Sequence, residues 1–217
     1  MKILVVSDLH SEDEALETLR LIIGKNNPDL TLILGDSAID SIDYAERMLE
    51  ITKPEKTLTI NGNNETSTLR QYFNAKKVSV DNKKRKIKNI TFIGFGSSPK
   101  DHFNSVNEKS EVEIEKGLEE LFQKAKNETV FLATHAPPFG VLDESKGRRI
   151  GSTALRKIIE EHQPLVNFCG HVHETEGTEK IGKTLVVKVA SLMFGKAVLF
   201  ETSTLKLVFK TFKKKLA

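Results

Sequence analysis

The chain has 217 residues, 38% of them hydrophobic and 29% charged, with a formal net charge of +3 and one cysteine. That size suits one globular domain over residues 1–217, and the balance excludes a disordered or collagen-like chain, while the lone Cys169 excludes an internal disulfide and fits a reducing compartment. No apolar run reaches the ~18 residues of a membrane span, and the apolar start at residues 1–6 is too short for a signal peptide, so a cytoplasmic protein without a membrane partner is expected.

In chain order, residues 2–7 read as a buried strand that runs into Ser-Asp-Leu-His, with Asp8 and His10. Residues 12–25 carry Ala15, Leu16, Leu19, Ile22 and Ile23 at helical spacing, and Pro28 closes that unit. Residues 30–34 predict a second strand, followed by Gly-Asp-Ser with Asp36. A second amphipathic helix spans 39–52, and a third strand, 57–60, leads into Gly-Asn-Asn-Glu with Asn63 and Asn64. A short helix at 66–73 follows. This βαβαβ order predicts a parallel sheet with right-handed crossovers.

Residues 77–80, 85–88 and 90–94 predict short strands, and 94–108, which includes His102, a polar loop. Ser110 with Glu113 predicts a capping box that opens a helix running towards residue 126. The strand at 129–134 ends at His135 in Thr-His-Ala-Pro, and 136–151 is a long loop containing Arg148 and Arg149. Ser152 predicts the N-cap of a helix at 153–162. The strand at 164–169 ends in Cys169, whose plain reading is burial, and then comes Gly-His-Val-His with His171 and His173. The rest reads as two hairpins: 178–181 and 184–189 around Gly182-Lys183, then 196–202 and 206–212 around Ser203-Thr204. The first hairpin offers an edge on which a second copy could pair. Lys206, Lys210, Lys213, Lys214 and Lys215 give a basic tail that could touch nucleic acid, or shield a strand edge from pairing. The whole predicts two stacked sheets with helices outside.

Polar residues just past parallel strands gather on one edge of a sheet. Four imidazoles with carboxylate and amide oxygens suit Mn, Fe, Zn, Co or Ni, whereas calcium prefers an all-oxygen set. A two-residue step on a strand end would bring Asp8 and His10 to one ion. His171 and His173 could likewise serve one ion or be shared between two. Asp36 could bridge two ions through its two oxygens, and ions ~3.5–4 Å apart would clamp a phosphoryl group. Singly, each motif has a plainer reading as a cap, a turn or a surface histidine. Their joint occurrence, each after an apolar run, points to metal.

As a set, Asp-x-His, Gly-Asp, Gly-Asn, the lone His135 and Gly-His-x-His resemble the calcineurin-like metallophosphoesterases, in particular the small archaeal and bacterial type, over residues 2–209. The resemblance implies a four-layer α/β/β/α sandwich. It implies that Asp8, His10 and His173 hold one metal, that Asn63, His135 and His171 hold a second, and that Asp36 bridges both. It also implies a phosphodiesterase or phosphatase using two divalent ions, manganese foremost with Fe, Zn, Ni or Co as alternatives. The implied reaction is in-line attack of metal-bound hydroxide on a small phosphoester.

Two positions depart from the family pattern. Asn64 stands where the family often has a His that binds phosphate and protonates the leaving oxygen, and an amide can donate a hydrogen bond but is no acid near pH 7. Glu65 keeps the acidic position that often orients that His, which leaves it a structural role. His102 is a candidate replacement acid, with a solvated loop residue as its plain reading. Asn64, His102 and Asp36 are therefore the catalytic candidates, and a missing acid predicts faster turnover of aryl than of alkyl phosphoesters. The second departure is Val187-Lys188-Val189-Ala190-Ser191, where many small members have Asn-Pro-Gly-Ser; Lys188 has no evident role there. Arg148 and Arg149 could grip a phosphate or lie exposed without one. Two further readings follow: a non-catalytic metal-binding scaffold of the same fold, which Asn64 favours, and a nuclease or nucleotide pyrophosphatase. The seven intact ligand positions favour an enzyme.

Overall fold

The apolar runs of the first third form β1 (Lys2–Val6), β2 (Leu30–Ile33) and β3 (Thr57–Thr59), which lie side by side and parallel. These come from a computed structural model, which describes residues 1–100 and 104–212. The crossovers are α1 (Asp13–Asn26) and α2 (Ile42–Thr52), with α3 (Ser67–Ala75) after β3. The second helix starts later than its apolar pattern suggests because the Ser41 side chain accepts from the Tyr44 amide and caps it there.

The middle of the chain supplies β4 (Lys83–Ile87), β5 (Ile90–Phe95), a two-residue pair of β6 (Ser98–Pro99) with β7 (Glu108–Lys109), α4 (Glu111–Gln123) and β8 (Val130–Thr134). The Ser110–Glu113 capping box is present. The long loop after His135 folds into a small hairpin, β9 (Glu144–Ser145) and β10 (Arg148–Arg149), turned by Lys146 and Gly147 in left-handed conformations. α5 (Thr153–His162) is capped by Ser152, and β11 (Val166–Cys169) follows. The last quarter is β12 (Gly177–Ile181), β13 (Thr184–Lys188), β14 (Lys196–Glu201) and β15 (Lys206–Thr211).

Two larger sheets result, in the orders β15-β14-β1-β2-β3 and β12-β13-β11-β8-β5-β4. In the second, β5, β8, β11 and β13 are parallel, with antiparallel β4 and β12 at the edges. Between the sheets Phe92, Phe131, Phe168 and Phe200 pack edge to face, with centroids 5.1–6.1 Å apart, each such pair being worth about 0.5–1.5 kcal/mol beyond its burial. α1, α2 and α3 cover the outer face of the first sheet, and α4 and α5 that of the second. This is the four-layer α/β/β/α sandwich.

Residues 77–80 do not form the predicted strand. Ser79 makes a single bridge to Thr59 of the first sheet, and Asp81 one to Gly94 of the second. The segment crosses between sheets, so Val78 packs under the helices and Val80 between the sheets. Cys169 is buried at the end of β11, and burial pushes its thiol up to about 12, so it carries no thiolate. No helix among the described residues is long and apolar enough to cross a membrane.

Candidate metal centre

β1, β2, β3, β8 and β11 all present their carboxyl ends on one edge, and all seven candidate residues follow them there. The loops hold this edge by unusual backbone. Asp8, His10, Asp36 and His171 have φ of 56°, 51°, 47° and 71°, a region that costs an L-residue roughly 1–2 kcal/mol. The chain after β1 is thus not a continuing strand, and Asp8 and His10 face one point through left-handed turns rather than through a strand's two-residue step. Cross-loop hydrogen bonds impose these turns: Asp8 N to Gly35 O at 3.1 Å, His10 N to Asp36 O at 2.9 Å, and Gly170 N to His135 O at 2.8 Å. Gly35 and Gly62 let the second and third motifs touch, since a Cβ on Gly35 would lie 2.4 Å from the Gly62 nitrogen.

The seven donor groups form two clusters. In the first, His10 Nε2 and His173 Nε2 are 3.1 Å apart, and Asp8 Oδ1 lies 3.8 Å from the former and 3.4 Å from the latter. In the second, His135 Nε2 lies 2.9 Å from Asn63 Oδ1 and 3.2 Å from His171 Nδ1. One atom, Asp36 Oδ2, stands 3.7 Å from His10 Nε2 and 3.6 Å from His135 Nε2. Asp36 therefore faces both clusters through Oδ2, while its Oδ1 accepts from the Asn64 backbone amide at 2.9 Å. His171 and His173 are divided between the clusters.

These spacings fit metal. Donors ~2.1 Å from one ion stand ~3.0 Å apart in octahedral and ~3.4 Å apart in tetrahedral geometry. Asp8 Oδ1 is buried yet has no hydrogen-bond partner, the mark of an oxygen awaiting a cation. Its other oxygen accepts from the His171 amide at 3.0 Å.

Supporting groups aim these donors. His135 Nδ1 lies 2.7 Å from the Leu34 carbonyl, which can only accept, so Nδ1 carries a proton and Nε2 is the atom free to ligate. The Asn63 amide donates to Ser105 Oγ at 2.7 Å, turning its oxygen toward His135. Glu65 is fully buried and accepts from the amides of Asp36, Ser37 and Gly62 at 2.9, 2.6 and 2.6 Å, which fixes the second motif against the third. Asn64 Nδ2 donates to Asp36 Oδ2 at 2.6 Å. Ser191 Oγ donates to the Asp8 carbonyl at 2.6 Å and its amide to the His173 carbonyl at 3.0 Å, joining the first and last motifs.

Among the side chains themselves the charges compensate one another. Burial opposes a charge on His135, but Asp36 and Asp8 outweigh it and raise its pKa to about 9. Asp36 is held at about 2, burial being outweighed by His135. Asp8 is lowered and His10 raised, each against the effect of burial. Burial and the neighbouring His135 cation push His171 down to about 3, and burial and the Asp36 charge raise Glu65 to about 7.

The clusters open into a cavity of ≈ 340 Å³ whose rim is Asn64, Ser105, Ser145, Lys146, Ile150 and Glu174. Arg148 and Arg149 do not line it; Arg149 instead pairs with Asp143 at 2.7 Å and lies over Phe139. Among the described residues, the lysine at the mouth is Lys146, placed there by the β9–β10 turn. The Lys146-Gly147 pair was the signal for that turn, whereas Ser105 had none. His102 lies outside the described residues. A larger depression of ≈ 440 Å³ at the opposite edge, with Phe122, His162 and Lys183 in its wall, gathers none of these groups.

The sequence model of the calcineurin-like phosphoesterases matches residues 1–175. The uncharacterized protein MJ1162 of Methanocaldococcus jannaschii is 35% identical over 196 residues, covering 86% of this chain and 87% of that protein. A solved archaeal phosphodiesterase superposes with a TM-score of 0.60 at 14% identity, over 98% of this chain and 100% of that one. A dimetal phosphatase from Danio rerio also gives 0.60, at 13% identity over 98% and 99%. At such identities the two structures share the fold.

Proposed function

Because the chain belongs to the calcineurin-like phosphoesterase family, we propose that it hydrolyses a small phosphoester with two divalent ions. Asp8, His10 and His173 would hold one, Asn63, His135 and His171 the other, and Asp36 both. The observation that carries this is Asp36 Oδ2, within 3.7 Å of a ring nitrogen in each cluster. Divalent ions there would acidify water and offset charge on a phosphoryl group. The mixed imidazole and oxygen donors favour manganese, with Fe, Zn, Ni or Co as substitutes.

The chain's own residues then position the substrate. Asn64, tied to Asp36 through both its backbone and side-chain nitrogens, holds that carboxylate in place and presents no acid. Lys146 supplies one positive charge at the mouth, and Ser105 and Ser145 supply hydroxyls. The Asn64 amide and the Ser105 and Ser145 hydroxyls are no acids near pH 7. The reading is therefore an esterase for phosphoesters with good leaving groups, diesters ahead of alkyl monoesters, working in the cytoplasm. One lysine on the rim, among the described residues, fits a small substrate better than a nucleic acid, whose many phosphates need a basic track. Asn64 also supports a second reading, a metal-binding scaffold of the same fold.

Metal-stripped protein titrated with Mn, Ni, Zn and Mg, and assayed on bis-nitrophenyl phosphate and nitrophenyl phosphate, separates the two. Metal-dependent turnover that falls at least about 100-fold in Asp36→Asn is expected. Two ions bound per chain without turnover would favour the scaffold.

A further inference from the structure

Lys188 ends β13, directly after Val186 and Val187, and its side chain is fully buried. Its ammonium forms no ion pair among the described residues. Nζ instead donates to the carbonyls of Val172 at 2.6 Å, Val189 at 2.9 Å and Thr175 at 3.2 Å. Three donors meet three acceptors, so the group is satisfied. Burying a cation among carbonyls is still expensive, and apolar replacements of buried charges are often neutral or stabilising. Sheet stability alone does not account for a lysine here.

The carbonyls it holds do. Val172 lies between His171 and His173, and Thr175 closes the same turn. Holding the Val172 carbonyl fixes the rotation of the peptide that sends His171 to one cluster and His173 to the other. We propose that Lys188 is a positioning residue, whose ammonium clamps residues 172–175 so that the two histidines of Gly-His-Val-His face different ions. The inference rests on the two-ion reading above.

Lys188→Met keeps an unbranched side chain one atom shorter and leaves the three carbonyls without their donor. Phe200→Leu, in the core between the sheets, serves as a destabilised control remote from the turn. Zinc binding to the metal-stripped proteins is followed by calorimetry, and the zinc-induced rise in Tm is recorded alongside. Wild type is expected to bind two ions, and Lys188→Met to bind them about 10–100-fold more weakly, the usual loss on removing a group that supports metal ligands. Phe200→Leu should lose Tm but keep both affinities. Wild-type affinity in Lys188→Met, or a loss no larger than in the control, overturns the role of Lys188. A wild-type chain that binds no zinc overturns the two-ion reading and this inference with it. Should Lys188→Met fail to fold, the wild-type ammonium is read by nitrogen-15 NMR. A lysine Nζ signal shielded from solvent exchange that shifts on zinc addition is expected, and the absence of either property overturns the proposal.

Discussion

The two sheets build unlike walls of one site. The first contributes Asp8, Asp36 and Asn63 with a single imidazole, His10; the second contributes only imidazoles, His135, His171 and His173. The bracing behind them differs in sign. Glu65, an anion, gathers three amides behind the oxygen-rich wall, while Lys188, a cation, gathers three carbonyls behind the imidazole wall. Neither wall completes a cluster by itself, since His173 joins Asp8 and His10, and Asn63 joins His135 and His171. Each cluster therefore needs donors from both sheets.

The largest effect should come from breaking the oxygen wall's brace. Glu65→Gln turns an acceptor of three amides and the Ser37 hydroxyl into a group with one acceptor and an amide that faces donors. A loss of about 2–4 kcal/mol in urea unfolding at pH 8.5, where Glu65 is ionised, is expected. Metal affinity should drop by about 100-fold. A change below about 1 kcal/mol would mean that the ligand loops hold one another without this clamp.

Adding an imidazole to the oxygen wall is the next test. Asn64→His supplies an acid at the mouth, so turnover of an alkyl phosphomonoester should rise at least about 10-fold. Aryl diester turnover should stay level or fall slightly as the bond to Asp36 Oδ2 is lost. Equal aryl and alkyl rates in the wild type would show that an acid is already present.

The layers and the order of the motifs were legible because buried strands write themselves as apolar runs and the polar residues come straight after. The backbone of the site was not. The left-handed φ of Asp8 and His10 is imposed from a distance, by hydrogen bonds that their amides donate to the carbonyls of Gly35 and Asp36. Nor was the aim of Asp36 legible, whose two oxygens accept from the backbone and the side chain of Asn64. Lys188 was visible only as a flaw in a valine run, because two of its three acceptors lie on a loop 13 and 16 residues away in sequence. Ser105 and Lys146 owe their places at the mouth to loop packing and to a hairpin turn.

The charge balance between the walls gives a graded prediction. His135 has a metal-free pKa raised from 6.5 to about 9. A raised folded-state pKa contributes stability that is present in full below 6.5 and lost as pH rises through about 9. Ion binding needs the neutral imidazole and must expel that proton. Affinity should then climb about tenfold per pH unit for each proton displaced across this window, and the metal-induced rise in Tm should grow with it. Calorimetry in buffers of different ionisation enthalpy counts the protons released; an affinity flat in pH would mean that His135 is no ligand.

The smallest effect tests aim rather than charge. Asn63 can ligate only through its amide oxygen, and Ser105 Oγ fixes which end of the amide faces His135 by taking the Nδ2 hydrogen at 2.7 Å. Ser105→Ala leaves every ligand present and both walls braced, but frees the Asn63 amide to flip. The expected loss is about 10-fold in the affinity of the ion at Asn63, His135 and His171, the lower end of the range for such support. The ion at Asp8, His10 and His173 should bind as before, so calorimetry should separate two events that overlap in the wild type. A uniform weakening of both ions would instead mean that Ser105 supports the whole 104–109 loop, whose Asn107 also bonds the Asn63 and Gly62 carbonyls.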